Sequence, residues 1–299
     1  MKKLTVTIGI PAYNETHNLG KLIADIFTQK QKSWILDEII VVNDASTDAT
    51  AELLNSLPSP KITVLAHAKR SGKSQCLNDI FRHFDSHVLI LFDADERLHS
   101  HLVIEKFVEV FRVRPTVMLL SGDKRPVKPR SFLERGIYAT YKIFHESKLR
   151  LKGGNNIFGC QGGCIGLQRS FAKSLHLPHI ISEDAYMYLE CKKRNLTFHY
   201  VDNIAVYYKQ ANTLTDYLRQ LFRSTPESVE IFLKKYFGNQ VQSEFARPWP
   251  FLVAATVSVI LDDPLPALFI VCLQLLVRPL IPVMTKKYRV YWPVAVSTK

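Results

Sequence analysis

Four short apolar runs within the first 95 residues each stop at polar or charged side chains, and helix-like stretches separate them. Leu4 to Ile10 ends at Pro11 and is followed by Tyr13, Asn14 and Glu15. Ile39 to Val42 runs into Asn43-Asp44-Ala45-Ser46, Ile62 to Leu65 into the segment His67 to Lys73, and Val88 to Phe92 into Asp93-Ala94-Asp95. Helical spacing through Leu19, Leu22, Ile23, Ile26 and Phe27, then over Thr47 to Leu57, Ser74 to Phe84 and Leu102 to Phe111, fills the intervals; Val117 to Leu120 is a further strand. Strands with almost no polar residue are buried on both faces. The pattern therefore predicts an α/β fold with a parallel sheet covered by helices. Such sheets bind ligands beyond the carboxyl ends of their strands, which is where the polar residues fall.

The composition of the 299 residues, 47% hydrophobic and 22% charged, excludes a fibrous or wholly disordered chain. The 39 Lys and Arg against 27 Asp and Glu leave a net charge of +12, which suits a nucleotide, a nucleic acid or an acidic membrane surface. Five loosely spaced cysteines make no disulfide framework and favour a reducing compartment, and Cys160 and Cys164 have no second pair at zinc spacing. The apolar run after Met1-Lys2-Lys3 stops at Pro11, too short for a secretory leader.

Beyond Asp123 the character changes. Asp123 to Lys152 holds nine Lys or Arg against three acids, and its helical part, Ser131 to Leu151, reads either as a basic helix packed on the sheet or as a surface facing an anionic lipid or acceptor. A Gly-rich loop, Gly153 to Gly166, precedes a helix opening at Ser182-Glu183-Asp184, strands near Phe198 to Val201 and Ile204 to Tyr208, and a helix from Thr213. At the C-terminal end, Phe251 to Leu261 is apolar or weakly polar, Asp262-Asp263-Pro264 breaks the run, and Leu265 to Met284 carries only Arg278 as a charge. Lys234, Lys235 and Arg247 flank one end and Lys286, Lys287 and Arg289 the other. This suits a hairpin with both ends cytoplasmic, a hairpin lying in one leaflet, or a buried helical pair.

Several residue groups could carry chemistry. Asp93 and Asp95 emerge from a buried strand as hard oxygen ligands for Mg²⁺ or Mn²⁺, which would keep positions open for phosphate oxygens; the competing reading is a helix cap plus a surface acid. Asp44 can accept from a base or ribose, or cap the next helix. Gly72-Lys73-Ser74 is no P-loop, because His67 stands where the first glycine is needed, yet Lys73 or Arg70 could meet phosphate. Glu183-Asp184 reads as a general base at a cleft mouth or as first-turn acids after an N-cap Ser182. Gln220 and Arg223 share a helical face on which the arginine could clamp a diphosphate. His99 and His101 read as surface residues.

The set Ile10-Pro11-Ala12-Tyr13-Asn14-Glu15, Val41 to Asp48, Gly72-Lys73 with Leu77-Asn78, Asp93-Ala94-Asp95, Glu183-Asp184 and Gln220-Leu221-Phe222-Arg223 resembles glycosyltransferase family 2 over roughly residues 4 to 224. The resemblance implies a GT-A fold (α/β, a Rossmann-like mixed, mainly parallel sheet with helices on both faces), a nucleotide-sugar donor and inversion at the sugar carbon. The expected division is a GT-A domain over 1–246, with a nucleotide-binding half (1–100) and an acceptor half (101–246), and, from the apolar runs and their flanking charges, a membrane-associated helical hairpin over 247–299. Carried over by position, Pro11, Tyr13, Glu15 and Asp44 would line the nucleoside pocket with Lys73 nearby. Asp93 would face the ribose or diphosphate, Asp95 would ligate the metal and Asp184 would be the catalytic base. Gln220 and Arg223 resemble the Q-x-x-R-W element of membrane polysaccharide synthases, but Ser224 replaces its Trp, which argues for single-sugar transfer over processive synthesis.

The expected enzyme moves a sugar from a UDP-sugar to a hydroxyl on a lipid-linked or cell-envelope glycan at the cytoplasmic face of the membrane, with no nucleic-acid partner. A polyprenyl-phosphate sugar synthase and a non-catalytic nucleotide-sugar-binding subunit are the alternatives.

Overall fold

The computed structural model describes residues 2–57, 59–246 and 249–280. The chain runs β1 (Leu4–Ala12), α1 (Leu19–Phe27), β2 (Trp34–Asn43), α2 (Thr50–Asn55), β3 (Ile62–Ala66), α3 (Lys73–His83), β4 (Val88–Leu91), β5 (Glu96–Arg97), α4 (Val103–Val113), β6 (Val117–Pro126) and α5 (Phe132–Arg150). There follow β7 (Ile165–Gln168), α6 (Arg169–Ser174), α7 (Glu183–Lys193), β8 (Thr197–Tyr208), α8 (Leu214–Ser224), α9 (Pro226–Phe237), α10 (Gln240–Phe245), α11 (Trp249–Asp262) and α12 (Pro264–Val277).

Among the described residues the strands form one sheet in the order β3-β2-β1-β4-β7-β6-β8-β5. The first four positions are parallel; β7 is antiparallel to both β4 and β6, which makes the sheet mixed. Successive side chains alternate between faces. Ile39 and Val41 join Val6, Ile8 and Ile10 in the core on one side, and Ile40 and Val42 join Leu77 and Ile80 on the other. β4 divides the same way, Val88 and Ile90 against Leu89 and Leu91. At Gly9 an added Cβ would lie 2.7 Å from Ile80, so α3 presses on β1 there without room for a side chain.

Two local expectations are corrected. The helix expected over Thr47 to Leu57 begins only at Thr50: Ala45 takes a left-handed φ of 56°, and Asp48 bonds the Thr50 backbone N–H and hydroxyl instead of lying inside a helix. Ile165 and Gly166, read as the end of a Gly-rich loop, open the strand β7 (Ile165–Gln168). It threads between β4 and β6, and at Gly166 a Cβ would approach Phe107 to 2.8 Å.

The basic helix α5 starts from a full capping box between Ser131 and Glu134. Its apolar face packs on α11 and α12 through Ile137, Ala139, Ile143, Ala255, Val259, Ala267 and Ile270. Gly136 permits the approach, since a Cβ there would stand 2.9 Å from the Pro266 carbonyl oxygen. The two acids at the break between α11 and α12 are paired: Asp263 takes both arms of Arg135, at 2.6 and 2.9 Å, and Asp262 pairs with Lys142. The expected boundary at 246/247 adjoins Arg247, which lies outside the described residues, as do 281–299 with the end of the second apolar run and Lys286, Lys287 and Arg289.

Candidate active site

The first two strand ends are laced together. Asn14, left-handed at φ 56°, donates its backbone N–H to Ser46 Oγ at 3.0 Å and accepts from the Thr47 N–H at 2.8 Å. The Glu15 N–H donates to Thr50 Oγ1 at 2.8 Å, and its side chain accepts from Asn18 at 3.0 Å. Tyr13 carries the Arg70 guanidinium over its ring at 3.8 Å. Asp44, buried at the end of β2, organises the loop after β3. Oδ1 accepts from His67 and from the Ser71 N–H, both at 2.7 Å, and Oδ2 accepts from the Gly72 N–H at 2.8 Å. Gly72 adopts φ 88°, which a side chain would strain, and the chain then turns directly into α3 at Lys73. His67 bridges two acids, since its other nitrogen meets Asp79 at 2.7 Å. Burial alone would lower the His67 pKa, but Asp44 and Asp79 raise it above its ordinary value.

Lys73 brings this loop to the end of β4. Its ammonium pairs with Asp93 Oδ1, while Lys124, at the end of β6, pairs with Asp93 Oδ2 and with Glu96 Oε1, both at 2.8 Å. The Asp93 N–H donates to Glu96 Oε2 at 3.0 Å. Burial works against the Asp93 charge, yet Lys124 and Lys73 hold its carboxyl well below the usual range. Burial pushes the Glu96 carboxyl well above its usual range; Lys124 opposes this, and Asp93 and Asp95 add to it. Asp95, half-buried, makes no hydrogen bond or ion pair among the described residues.

Asp184 faces this group from the first turn of α7. Its Oδ2 accepts from the Gly162 N–H at 2.9 Å, and its Oδ1 from the Ser182 hydroxyl at 2.9 Å and the Ala185 N–H at 2.8 Å. Ser182 was expected to cap the helix; its side chain makes no capping bond and holds the Asp184 carboxylate instead. The glycine pair closes the space. A Cβ on Gly162 would lie 3.5 Å from both Asp184 Oδ2 and Lys73 Nζ, and one on Gly163 would lie 2.0 Å from Glu96 Oε1. Lys73, Asp93, Gly162, Gly163, Glu183 and Asp184 thus line one cleft, walled by Pro11, Leu77, Leu91, Phe92, Ile165 and Met187.

Of the residues singled out from sequence, Pro11, Lys73, Asp93 and Asp184 line this cleft. Asp44 reaches it through the loop that carries Lys73, while Tyr13, Glu15 and Asp95 stand at the same strand ends without lining it. Gln220 lies on α8, half-buried and not among the lining residues; the Arg223 side chain lies outside the described residues. Glu96, Lys124 and His67 are the partners that were missed, while Glu183, singled out only together with Asp184, has its own place in the cleft lining. Lys124 was within reach of the same rule, because β6 is a further strand that ends in charges, Asp123-Lys124-Arg125.

A divalent ion would fit at Asp95, whose carboxylate has no hydrogen-bond or ion-pair partner among the described residues and would share the ion with phosphate oxygens and water. The Asp93 oxygens are taken by lysines. Two further clusters have metal-compatible spacing, Asp44–His67–Cys76 and Asp123–His145–Asp202. In the first, both His67 nitrogens already meet carboxylates. In the second, Lys148 and Arg125 already neutralise Asp123.

Residues 7–175, which run from within β1 through β7 and α6, match the model of glycosyl transferase family 2. A UDP-Glc:α-D-GlcNAc-diphosphoundecaprenol β-1,3-glucosyltransferase of Escherichia coli is 21% identical over 197 residues, 65% of this chain and 72% of that one. A dolichol-phosphate mannosyltransferase of Pyrococcus furiosus is 33% identical over 110 residues, 36% of this chain and 30% of the relative. The mannosyltransferase PcManGT from Pyrobaculum calidifontis, solved with GDP-Man and Mn²⁺, superposes with a TM-score of 0.61 at 18% identity and covers 96% of this chain and 84% of that one. The GT-A fold expected from the sequence is the fold found. With more than half of its length under one family model, and with that half carrying the strand ends that build the cleft, the chain belongs to glycosyl transferase family 2 and is a glycosyltransferase.

Proposed function

We propose that the enzyme transfers one sugar, with inversion and metal assistance, from a UDP-sugar to a hydroxyl of a lipid-linked or cell-envelope glycan at the cytoplasmic face of the membrane. The support is one cleft in which Lys73, Asp93, Gly162 and Asp184 meet, from four different stretches of chain. Asp184 takes the proton of the acceptor hydroxyl. Gly162, Ser182 and Ala185 fix its two oxygens, so the carboxylate is aimed before substrate arrives. The acceptor oxygen attacks the anomeric carbon opposite the nucleotide as positive charge grows on the sugar ring. Lys73 and Lys124 supply fixed positive charge on the diphosphate side, with Asp93 holding both in place. An Mg²⁺ or Mn²⁺ ion bound at Asp95 would neutralise the leaving diphosphate. Pro11, Tyr13, Glu15 and Asp44 take the nucleoside side, and Gln220 and Arg223 of α8 complete the diphosphate grip.

The chain would meet the membrane through α11 and α12, as a hairpin lying in one leaflet. Leu261, Leu265 and Leu276 are 79%, 73% and 76% exposed, on helices whose other face is glued to α5. Pairing of Asp262 and Asp263 with α5 keeps the hairpin tip on the globular domain, which favours lying in the leaflet over crossing it, although the stretch 240–262 has the length and apolarity of one crossing.

The test is Asp184→Asn assayed with Mn²⁺ and after EDTA. Nucleoside diphosphate binding should survive in the variant while release of product falls at least a hundredfold, and EDTA should abolish transfer reversibly. Full turnover by Asp184→Asn with a sugar-phosphate lipid as product would instead assign a polyprenyl-phosphate acceptor, which needs no strong base.

A further inference from the structure

Glu183 stands beside the proposed base and the mechanism above gives it no task. It is 4% exposed, lines the cleft, and its Oε1 has no hydrogen-bond partner among the described residues. A buried carboxyl kept only for structure would be bonded, because an unsatisfied buried acceptor costs stability. Each candidate partner nearby is committed elsewhere. Lys73 makes its ion pair with Asp93, and the Ser182 hydroxyl and the Gly162 N–H both go to Asp184. The open oxygen is therefore provision for something that enters the cleft.

Taking the transferase reading as given, we propose that Glu183 holds the transferred sugar, its buried carboxyl hydrogen-bonding one of the sugar's hydroxyls between Asp184 and Lys73. The electrostatics select that occupant. Burial pushes the Glu183 carboxyl up to about 8; Lys73 opposes this, and Asp184 and Asp93 add to it. At neutral pH the group is a neutral acid, which can donate and accept at once, as a sugar hydroxyl also can. A phosphate would gain little from it and is served by Lys73 and Lys124. An ionised Glu183 would put a third negative charge beside Asp184 and Asp93.

The experiment uses the full chain and compares UDP with UDP-glucose, UDP-N-acetylglucosamine and, with GDP as its reference, GDP-mannose, each with Mn²⁺. Affinities are measured by calorimetry for wild type, Glu183→Ala and Glu183→Gln. Glu183→Ala should bind the bare nucleotide like wild type and lose the extra affinity contributed by the sugar, about tenfold for one hydrogen bond. Glu183→Gln, which can also donate and accept, should recover most of that increment. Wild type should show a fall in kcat/KM above about pH 8, and Glu183→Gln should abolish it. Equal loss of bare nucleotide and nucleotide-sugar affinity in Glu183→Ala overturns the assignment, as does a wild-type alkaline limb that persists in Glu183→Gln. Difference infrared spectra of wild type against Glu183→Gln at pH 7 give a readout independent of substrate. They should show a protonated carboxyl, and an ionised one overturns the proposal. Failure of wild type to bind any nucleotide or nucleotide-sugar, with that protonated carboxyl present, would count against the transferase reading and leave the neutral acid demonstrated.

Discussion

Asp123→Asn should destabilise this protein far more than Lys148→Met, although the two residues form one ion pair. Asp123 is fully buried on β6 and accepts from Lys148 at 2.6 Å, Arg125 at 2.7 Å, Tyr141 at 2.8 Å and His145 at 3.3 Å. Lys148, fully buried on α5, is held by Asp123 and by Gln161 at 3.2 Å. Burial opposes the Asp123 charge, but His145 and Lys148 hold its carboxyl far below the usual range. Burial lowers the Lys148 pKa despite the pull of Asp123. Neutralising the acid leaves two cations facing each other in the interior, and such a break costs about 3–5 kcal/mol. Replacing Lys148 by Met removes its hydrogen bonds to Asp123 and Gln161, while Arg125, Tyr141 and His145 still satisfy Asp123. It also relieves the desolvation of a buried ammonium, so the net cost is about 1–2 kcal/mol. The assay is urea unfolding followed by the fluorescence of Trp34, which is completely buried in the core. The double variant should cost less than the sum of the singles, because the lysine has no pair left to lose. The pH dependence follows in sign. A depressed folded-state pKa gives stability that is present above the unfolded value of 3.8 and is lost as pH falls through the folded one, so Asp123→Asn should flatten the acid limb. If Lys148→Met costs as much as Asp123→Asn, the asymmetry argued here is wrong.

Three further outcomes are expected. Gly163→Ala places a Cβ against Glu96 at a φ of +85°, so it should displace Glu96, loosen Lys124 from Asp93 and lower turnover at least tenfold; wild-type kinetics at an unchanged thermal midpoint would contradict that geometry. His67 has a folded-state pKa above 6.5, so its hold on Asp44 contributes fully below pH 6.5 and is lost as pH rises through the higher value. Nucleotide affinity measured across that range should fall in wild type and stay level in His67→Asn. Leu261→Ser with Leu276→Ser should weaken flotation with anionic vesicles while leaving the fold intact; undiminished flotation would exclude this face as the membrane contact.

What the sequence disclosed here follows from how far apart the interacting residues lie. Strand ends were legible because alternation and burial act over a few neighbours, and Lys73, Asp93 and Asp184 then fall at predictable positions. Long-range partners leave no such local trace. Lys124 meets Asp93 across 31 positions and Arg135 meets Asp263 across 128, so the basic stretch 123–152 read as an exposed charge run although Lys148 is buried and Arg135 and Lys142 are paired. β7 was hidden for another reason. Four residues beside glycines carry too little pattern to register as a strand, and only Phe107 pressing on Gly166 explains why a glycine must stand there.

The same distinction bears on the cleft itself. Asp184 and Glu183 are adjacent acids that sequence treats alike, and the fold treats them oppositely. Asp184 receives three donors, which fix the direction of both its oxygens. Glu183 points to the same cleft, has no donor for its Oε1, and is pushed by burial toward the neutral form. Two carboxyls one residue apart are thereby given opposite surroundings, one saturated with donors and one with an oxygen left open. The difference comes from Gly162, Ser182 and Ala185, whose hydrogens all go to Asp184. Substituting Ser182 by Ala should therefore loosen the Asp184 carboxylate and lower kcat severalfold while nucleotide affinity stays at the wild-type level. An unchanged kcat would mean that the serine does not orient this carboxylate.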